Sequence, residues 1–367
     1  MITLHVDLGE EWRGGQHQAL LLMRGLRSRG HAVELVARRG SPLAQHAQAE
    51  GIPVHAVGRM VPQLLAVLPL KSLANQGRFE IVHIHDAHGL TPAWLAGVHR
   101  HARLVVSRRV IYPIPQNPLA LARYRAAHRI VAVSHFVKDK VLASGLVNEK
   151  VEVIYDGVEV PALPGGAERL RARQRWSVPD SSDAPLLGYV GYFQPEKGQE
   201  FLIRAMPLVQ KRYPNCRLLL AGDGPCRHRL EELALELGVR PAVHFLGVVD
   251  DVAQVYQALD IFVFPSLAEG LGSALLSAMS YGLPSVAVAR SAVPEVIQDG
   301  RNGLLVPEPA PDSLAAAVLC LLDDTSLSAG LAAAAHKTIK QYFSVDRMVA
   351  ETIKLYIRVC SGPLDSW

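Results

Sequence analysis

Short, continuous apolar runs alternate with amphipathic stretches of helical length almost from one end of the chain to the other. In the first half the runs fall at 2–6, 32–37, 80–84, 103–107, 129–133 and 151–154. In the second they fall at 186–192, 217–221, 243–246, 260–264 and 284–288. Helical spacing marks 16–29, where Leu20, Leu21, Leu22, Met23 and Leu26 cluster, and 135–144. It recurs at 198–212, 227–237, 251–258, 272–281 and 311–323. A strand that is apolar throughout must be covered on both faces, and helices between such strands do this in a parallel sheet. The pattern predicts two doubly wound α/β domains in tandem. From Val158 to Gly166 two prolines and a glycine pair interrupt any strand or helix, and a polar stretch from Pro179 to Pro185 follows. The expected division is therefore 1–162, 163–343 and a tail of 344–367. The tail holds a helical stretch, Val345 to Val359, with no strand after it, free to pack back on the first domain.

Composition narrows the class without naming it. The 367 residues are 49% hydrophobic and 20% charged, ordinary values for globular protein, and the length suits about two domains. Cys216, Cys226, Cys320 and Cys360 form no C-x-x-C pair and have no spaced histidines near them, so they read as reduced thiols rather than a zinc site. No apolar run reaches the length of a membrane span, and Ile2 to Val6 enters a strand pattern with no sign of a signal peptide. A cytoplasmic protein is expected. Residues 1–160 carry 19 Lys and Arg against 12 Asp and Glu, whereas 161–367 carry 19 against 22. The basic first half suits phosphates or an anionic membrane face. Its arginines have only Tyr112 and Tyr124 among them, a poor platform for nucleic acid.

In open parallel sheets ligands bind beyond the carboxyl ends of the strands, so the loops there are the places to look for chemistry. The first, Asp7 to Gly15, brings Gly14 and Gly15 to a helix start, where backbone N–H groups can meet an anion or simply turn the chain. The second, Gly191 to Gly198, sets Lys197 just before a helix, a point charge suited to a diphosphate. The third, Gly222-Asp223-Gly224-Pro225, reads first as a turn. The fourth runs from Phe264 through Glu269, Gly270, Leu271, Gly272 and Ser273 to Ser277 and Met279. There a carboxylate stands beside a helix start, able to hold a sugar hydroxyl while the backbone holds a phosphate. His83-Ile84-His85-Asp86-Ala87-His88 is the remaining cluster; alternation places His83 and His85 on one face, a possible metal pair, while His85 or His88 lining a cleft is the alternative.

The fourth loop, with Tyr281-Gly282-Leu283-Pro284 and Val293-Pro294-Glu295 through Gly303-Leu304-Leu305-Val306, resembles the nucleotide-binding half of family-four glycosyltransferases of the GT-B fold. The resemblance continues through Gly222-Asp223-Gly224-Pro225, Glu196-Lys197-Gly198, Val133-Ser134-His135-Phe136, Tyr155-Asp156-Gly157-Val158 and Gly14-Gly15 with Arg29-Gly30-His31. It implies two Rossmann-like domains facing a cleft, with the C-terminal helix crossing back to the first. It also implies retaining transfer of a sugar from a nucleotide-sugar donor, UDP- or GDP-linked, to a glycan or lipid-linked acceptor in envelope polysaccharide or lipopolysaccharide assembly, with no bound cofactor and no essential metal.

Carried over by position, Glu269 matches the carboxylate on the donor sugar, and Gly270, Leu271 and Gly272 the backbone near sugar and phosphate. Lys197 matches the diphosphate cation and Gly15 the N-terminal glycine facing it. With them, Gly14, Gly191, Gly222, Ser273 and Ser277 make up the expected donor site, and Glu269, Lys197, Arg109 and His85 the catalytic set. Three positions depart from the family pattern. Ser277 stands where a ribose-binding Glu is usual, Tyr192 where an Arg is usual, and Ser107-Arg108-Arg109 where a His is common. Arg109 is expected to restore positive charge across the cleft. The run Val61 to Leu68 is a candidate for peripheral contact with the inner membrane face. The rival readings are a nucleotide-sugar epimerase or phosphorylase of the same fold, and a transferase fold retained as an inactive binding partner.

Overall fold

The computed structural model describes residues 1–58, 63–178 and 184–362. In chain order the first part runs β1 (Ile2–Asp7), α1 (Gly14–Arg27), β2 (Ala32–Arg38), α2 (Pro42–Ala49), β3 (Val54–Val57), α3 (Val67–Asn75), β4 (Ile81–Ile84), α4 (Ala87–Leu95), β5 (Arg103–Arg108), α5 (Pro118–Arg125), β6 (Arg129–Ala132), α6 (His135–Leu142) and β7 (Val151–Val153). The second runs α7 (Gly166–Arg175), β8 (Leu186–Val190), α8 (Gln199–Gln210), β9 (Arg217–Ala221), α9 (Arg227–Glu236), β10 (Val243–Gly247), α10 (Ala253–Ala258), β11 (Ile261–Phe264), α11 (Ser273–Ser280), β12 (Ser285–Val288), α12 (Val293–Val296), β13 (Leu304–Val306), α13 (Pro311–Asp323) and α14 (Thr325–Tyr342), before α15 (Val345–Cys360). The chain divides into two compact units, residues 1–157 with 345–367, and 158–344. The first change of unit thus falls between Gly157 and Val158, five residues before the expected boundary. Residues 179–183 of the polar stretch, and 61–62 of the apolar run, lie outside the described residues.

Both sheets are parallel. The first has seven strands in the order β3-β2-β1-β4-β5-β6-β7, the second six in the order β10-β9-β8-β11-β12-β13. Each order reverses once, between β1 and β4 and between β8 and β11, so each unit has one switch point where loops leave neighbouring strands in opposite directions. The strands between are buried along nearly their whole length, as at Ile81–Ile84 and Ile261–Phe264. Two edge strands, β3 and β13, were not expected from the pattern. They have four and three residues, too short to form a run that stands out from the flanking turns. Helix α14, eighteen residues rich in Ala and Ser, was also unforeseen, because it buries only Leu331, Ala335 and Ile339 and so lacks a broad apolar stripe.

Helix α15 belongs to the first unit. Met348, Val349, Thr352, Leu355, Tyr356 and Val359 recur at helical spacing, form its buried face, and pack into the same core as Leu22, Met23 and Leu26 of α1. Gly25 on α1 lets the two helices touch, since a methyl group there would overlap the Val349 side chain. We expect Gly25→Ala to cost about 1–3 kcal/mol, the usual penalty for overpacking. Val349→Ala in the same background should recover part of that loss, and chemical denaturation of the three proteins measures both effects.

Candidate functional site

In the second unit, the loops that leave β8 and β11 meet over the switch point. The backbone N–H of Leu267 donates to the carbonyl of Glu196 at 2.8 Å, tying one loop to the other. Gly198 makes the approach possible; its φ is +67°, and a Cβ there would run into the carbonyl oxygen of Pro265. Lys197 and Glu269 are carried toward each other by the same contact. Lys197 Nζ donates to Glu269 Oε1 at 2.7 Å, and the Ser266 hydroxyl donates to the same oxygen at 2.5 Å. The carboxylate side chain is 10% exposed and the lysine 20%, so the pair is largely out of water yet reachable from it. Directly after it Gly272, at φ +97°, starts α11, whose N-terminus has no side-chain cap. A cation, an oriented carboxylate and an uncapped helix start are together the parts needed to hold a sugar and a phosphate.

The remaining residues expected on this side divide by role. Gly270, Leu271, Gly272 and Ser273 lie on the loop and the first turn of α11 beside Glu269. Gly191 ends β8. Gly222 lies behind it, its N–H donating to the carbonyl of Gly247 at 2.7 Å, and a Cβ there would overlap the carbonyl oxygen of Gly191. Gly222 therefore shapes the loop from behind. Ser277 is one turn further along α11, close to the buried Tyr256, whose hydroxyl donates to the carbonyl of Ala274 at 3.3 Å and whose ring stacks on Tyr281. Tyr192 is exposed, its carbonyl accepting from the Gln199 amide at 2.9 Å.

The first unit has its own cavity at the β1–β4 switch point, about 750 Å³, lined among others by Gly15, Gln16, His85, Asp86, His88 and Arg109. Gly14 is the exposed first residue of α1. Beneath the cavity lies a column of buried side chains, His5, His83 and His85, their rings 4.3 to 5.7 Å apart. The spacing would suit a metal ion, but all six ring nitrogens already have partners. His5 Nδ1 meets His85 Nε2 at 2.8 Å, and His5 Nε2 meets the Thr3 hydroxyl at 3.2 Å. His83 bonds the Tyr356 hydroxyl at 2.6 Å and the Ser107 hydroxyl at 2.7 Å. The Arg109 guanidinium reaches His85 Nδ1 at 3.3 Å and Asp156 Oδ1 at 3.0 Å. Burial drives all three histidines toward the neutral form, His5 to about 3, and nearby positive charge adds to the effect.

Profiles of two families match the chain, Glycosyltransferase Family 4 over residues 12–160 and Glycosyl transferases group 1 over 184–324. The D-inositol 3-phosphate glycosyltransferase of Stackebrandtia nassauensis is 30% identical over 382 residues, covering 91% of this chain and 86% of the relative. The chain belongs to the family-four glycosyltransferases. Another relative, the lipopolysaccharide core biosynthesis glycosyltransferase LpsE of Rhizobium meliloti, is 33% identical over 190 residues, 52% of this chain and 55% of its own. Among solved structures, Anabaena HepE in complex with UDP and glucose superposes with a TM-score of 0.83 at 21% identity, covering 97% of this chain and 99% of the other. The transferase thus has the GT-B fold, two parallel α/β units with the C-terminal helix α15 in the first.

Sequence reasoning assigned roles to Lys197, Glu269, Arg109 and His85 but gave none to Ser266, His5, Tyr356, Asp156 or the pair Asp7 and Asp86. Asp86 caps α4, accepting from Gly89 N–H at 2.9 Å and from Leu8 N–H at 3.2 Å. Burial first, and then the neighbouring Asp7 carboxylate, push it up to about 7. The folded transferase holds this proton where the unfolded chain releases it near 3.8, so Asp86 costs stability progressively as pH rises between those values. Asn caps a helix about as well as Asp. Asp86→Asn should therefore gain on the wild type as pH rises from about 4 to about 7 and level off above. Melting curves of the two proteins across that range check this; a constant difference would mean an unperturbed carboxyl.

Proposed function

We propose that the transferase moves a sugar, with retention of configuration, from a nucleotide sugar to a glycan or lipid-linked acceptor of the cell envelope. The observation that carries this reading is the Lys197–Glu269 pair at the β8–β11 switch point, beside the uncapped start of α11. Lys197 and the backbone of the glycine loop stabilise charge growing on the departing diphosphate, where preorganised donors act most strongly. Arg109 is assigned the same task, stabilising negative charge at the reacting centre. Glu269 exchanges its lysine for the donor sugar and orients it. The acceptor hydroxyl attacks from the leaving-group side and its proton passes to the diphosphate oxygen, so no protein nucleophile is called for. Ser277 offers the ribose one hydroxyl in place of the carboxylate usual in the family.

A uridine donor is supported by the UDP bound in HepE, and GDP is the alternative. The envelope acceptor is supported by LpsE, named for lipopolysaccharide core synthesis. A place at the cytoplasmic membrane face is supported by Leu65 and Leu68, which are 53% and 69% exposed, beside the basic balance of the first half. Sedimentation with anionic and with neutral vesicles tests that placement, binding to the anionic ones alone being expected.

A thermal-shift screen against UDP, GDP, ADP and their sugar conjugates names the donor. A ligand at one hundred times its Kd stabilises by about 2.7 kcal/mol, a readable shift. With the donor known, Glu269→Ala should lower turnover by about 100-fold or more while keeping the fold. Near-normal turnover would remove Glu269 from the mechanism. Donor consumed to an isomeric nucleotide sugar without acceptor would point to the epimerase, and silence across the panel to the inactive partner.

A further inference from the structure

Arg109 reaches the wall of the first unit's cavity from the loop after β5, and residues of two other segments hold it there. Asp156, just beyond β7, accepts from its Nε at 3.0 Å. His85, just beyond β4, accepts from its Nη1 at 3.3 Å. Gly15, in the first turn of α1, lies beside its stem, where even a Cβ would come no closer than 3.9 Å to the Arg109 Cδ. Asp156 is itself fixed. The amide of Gln18, buried on α1, donates to the carbonyl of Gly157 at 2.8 Å and accepts from its N–H at 3.1 Å.

The hydrogen bonds have a direction that the arginine sets. A guanidinium can only donate, so His85 Nδ1 must accept. The neutral ring then carries its proton on Nε2 and donates it to His5 Nδ1 at 2.8 Å. His5, neutral in turn, donates from Nε2 to the Thr3 hydroxyl at 3.2 Å, and that hydroxyl donates to the carbonyl of Ala32 at 3.3 Å. Each histidine has one proton to give and one lone pair to fill, and the column ends on the strand carbonyl of Ala32. Protonating either histidine would set two donors face to face, and flipping either tautomer would do the same.

We infer that Asp156 is a positioning residue for Arg109, and that His85, backed by His5 and Thr3, is the neutral acceptor that completes its seat. His85, expected in the catalytic set, then acts through Arg109 and not on the reacting atoms. Its task is to present a lone pair that keeps the guanidinium from swinging. The functional consequence rests on the reading of Arg109 as a cation that stabilises developing charge; the geometry of the column does not.

Nitrogen-15 spectra of histidine-labelled full-length protein, assigned through His5→Gln and His85→Gln, test the column. Both rings should appear as neutral Nε2–H tautomers that do not titrate between about pH 5 and 8. A His85 that titrates in that range, or that carries its proton on Nδ1, overturns the inference. Asp156→Ala should then shift the His85 Nδ1 signal, because the arginine that bonded it is released. With the donor found by the nucleotide screen, the same variant should lose about 100-fold in kcat with KM for the donor little changed, as expected for a misplaced charge. Unchanged His85 signals with wild-type kcat contradict the proposal, as does a loss of activity accounted for wholly by a smaller folded fraction in circular dichroism. Failure of the wild type to bind any nucleotide would instead defeat the transferase reading, while the nitrogen spectra would still decide whether the seat exists.

Discussion

A parallel sheet whose strand order reverses once leaves a single crevice that its own connections do not cover, and both units of this chain are organised around such a point. At β8 and β11 the two loops are pulled together by a backbone hydrogen bond and by a glycine that admits a carbonyl oxygen. At β1 and β4 the loops instead stand apart around a cavity of about 750 Å³. The strands behind them are mostly apolar, apart from the column of Thr3, His5, His83 and Ser107 in the first sheet, and the ion pairs of interest gather at the carboxyl ends. The position of the chemistry follows from topology before any side chain is considered.

The two switch points then solve the same electrostatic problem differently. In the second unit a lysine and a glutamate, both mostly out of water, neutralise each other at 2.7 Å. Removing such charges from solvent is costly unless each finds a partner, and here the partner is one that a ligand carrying hydroxyls and phosphates can replace. In the first unit the arginine is matched to a buried aspartate and a neutral histidine, and every ring nitrogen below it is satisfied. On the proposed reading the first pair opens to a ligand while the second holds its arginine in place.

Much of this was legible in the sequence because the strong signals are local. Long apolar strands, helices with a broad apolar stripe, and the loop from Phe264 to Met279 each declare themselves within a window of a dozen or so residues. Edge strands β3 and β13 lack the length to do so, and α14 lacks the stripe. The histidine column is illegible for another reason. His5 and His83 are opposite one another only through the parallel register of β1 and β4, and Tyr356 joins them from 273 residues further along the chain. Asp156 appears in the sequence as one residue of a short motif, with nothing to show that it faces an arginine 47 positions earlier. Ser277 and Tyr192 were visible as departures from a pattern, but that the buried Tyr256 bonds the carbonyl of Ala274 on the same helix as the serine required the fold.

The central claim is that the Lys197–Glu269 pair is the point at which the donor's diphosphate is received. Titration calorimetry with the responding nucleoside diphosphate and with its monophosphate, against wild type and Lys197→Met, tests it most directly. The account predicts that the wild type prefers the diphosphate by about tenfold or more, the worth of one charge-assisted contact, and that the variant loses this preference while still binding the monophosphate. An undiminished preference in the variant would place the diphosphate elsewhere and contradict the account.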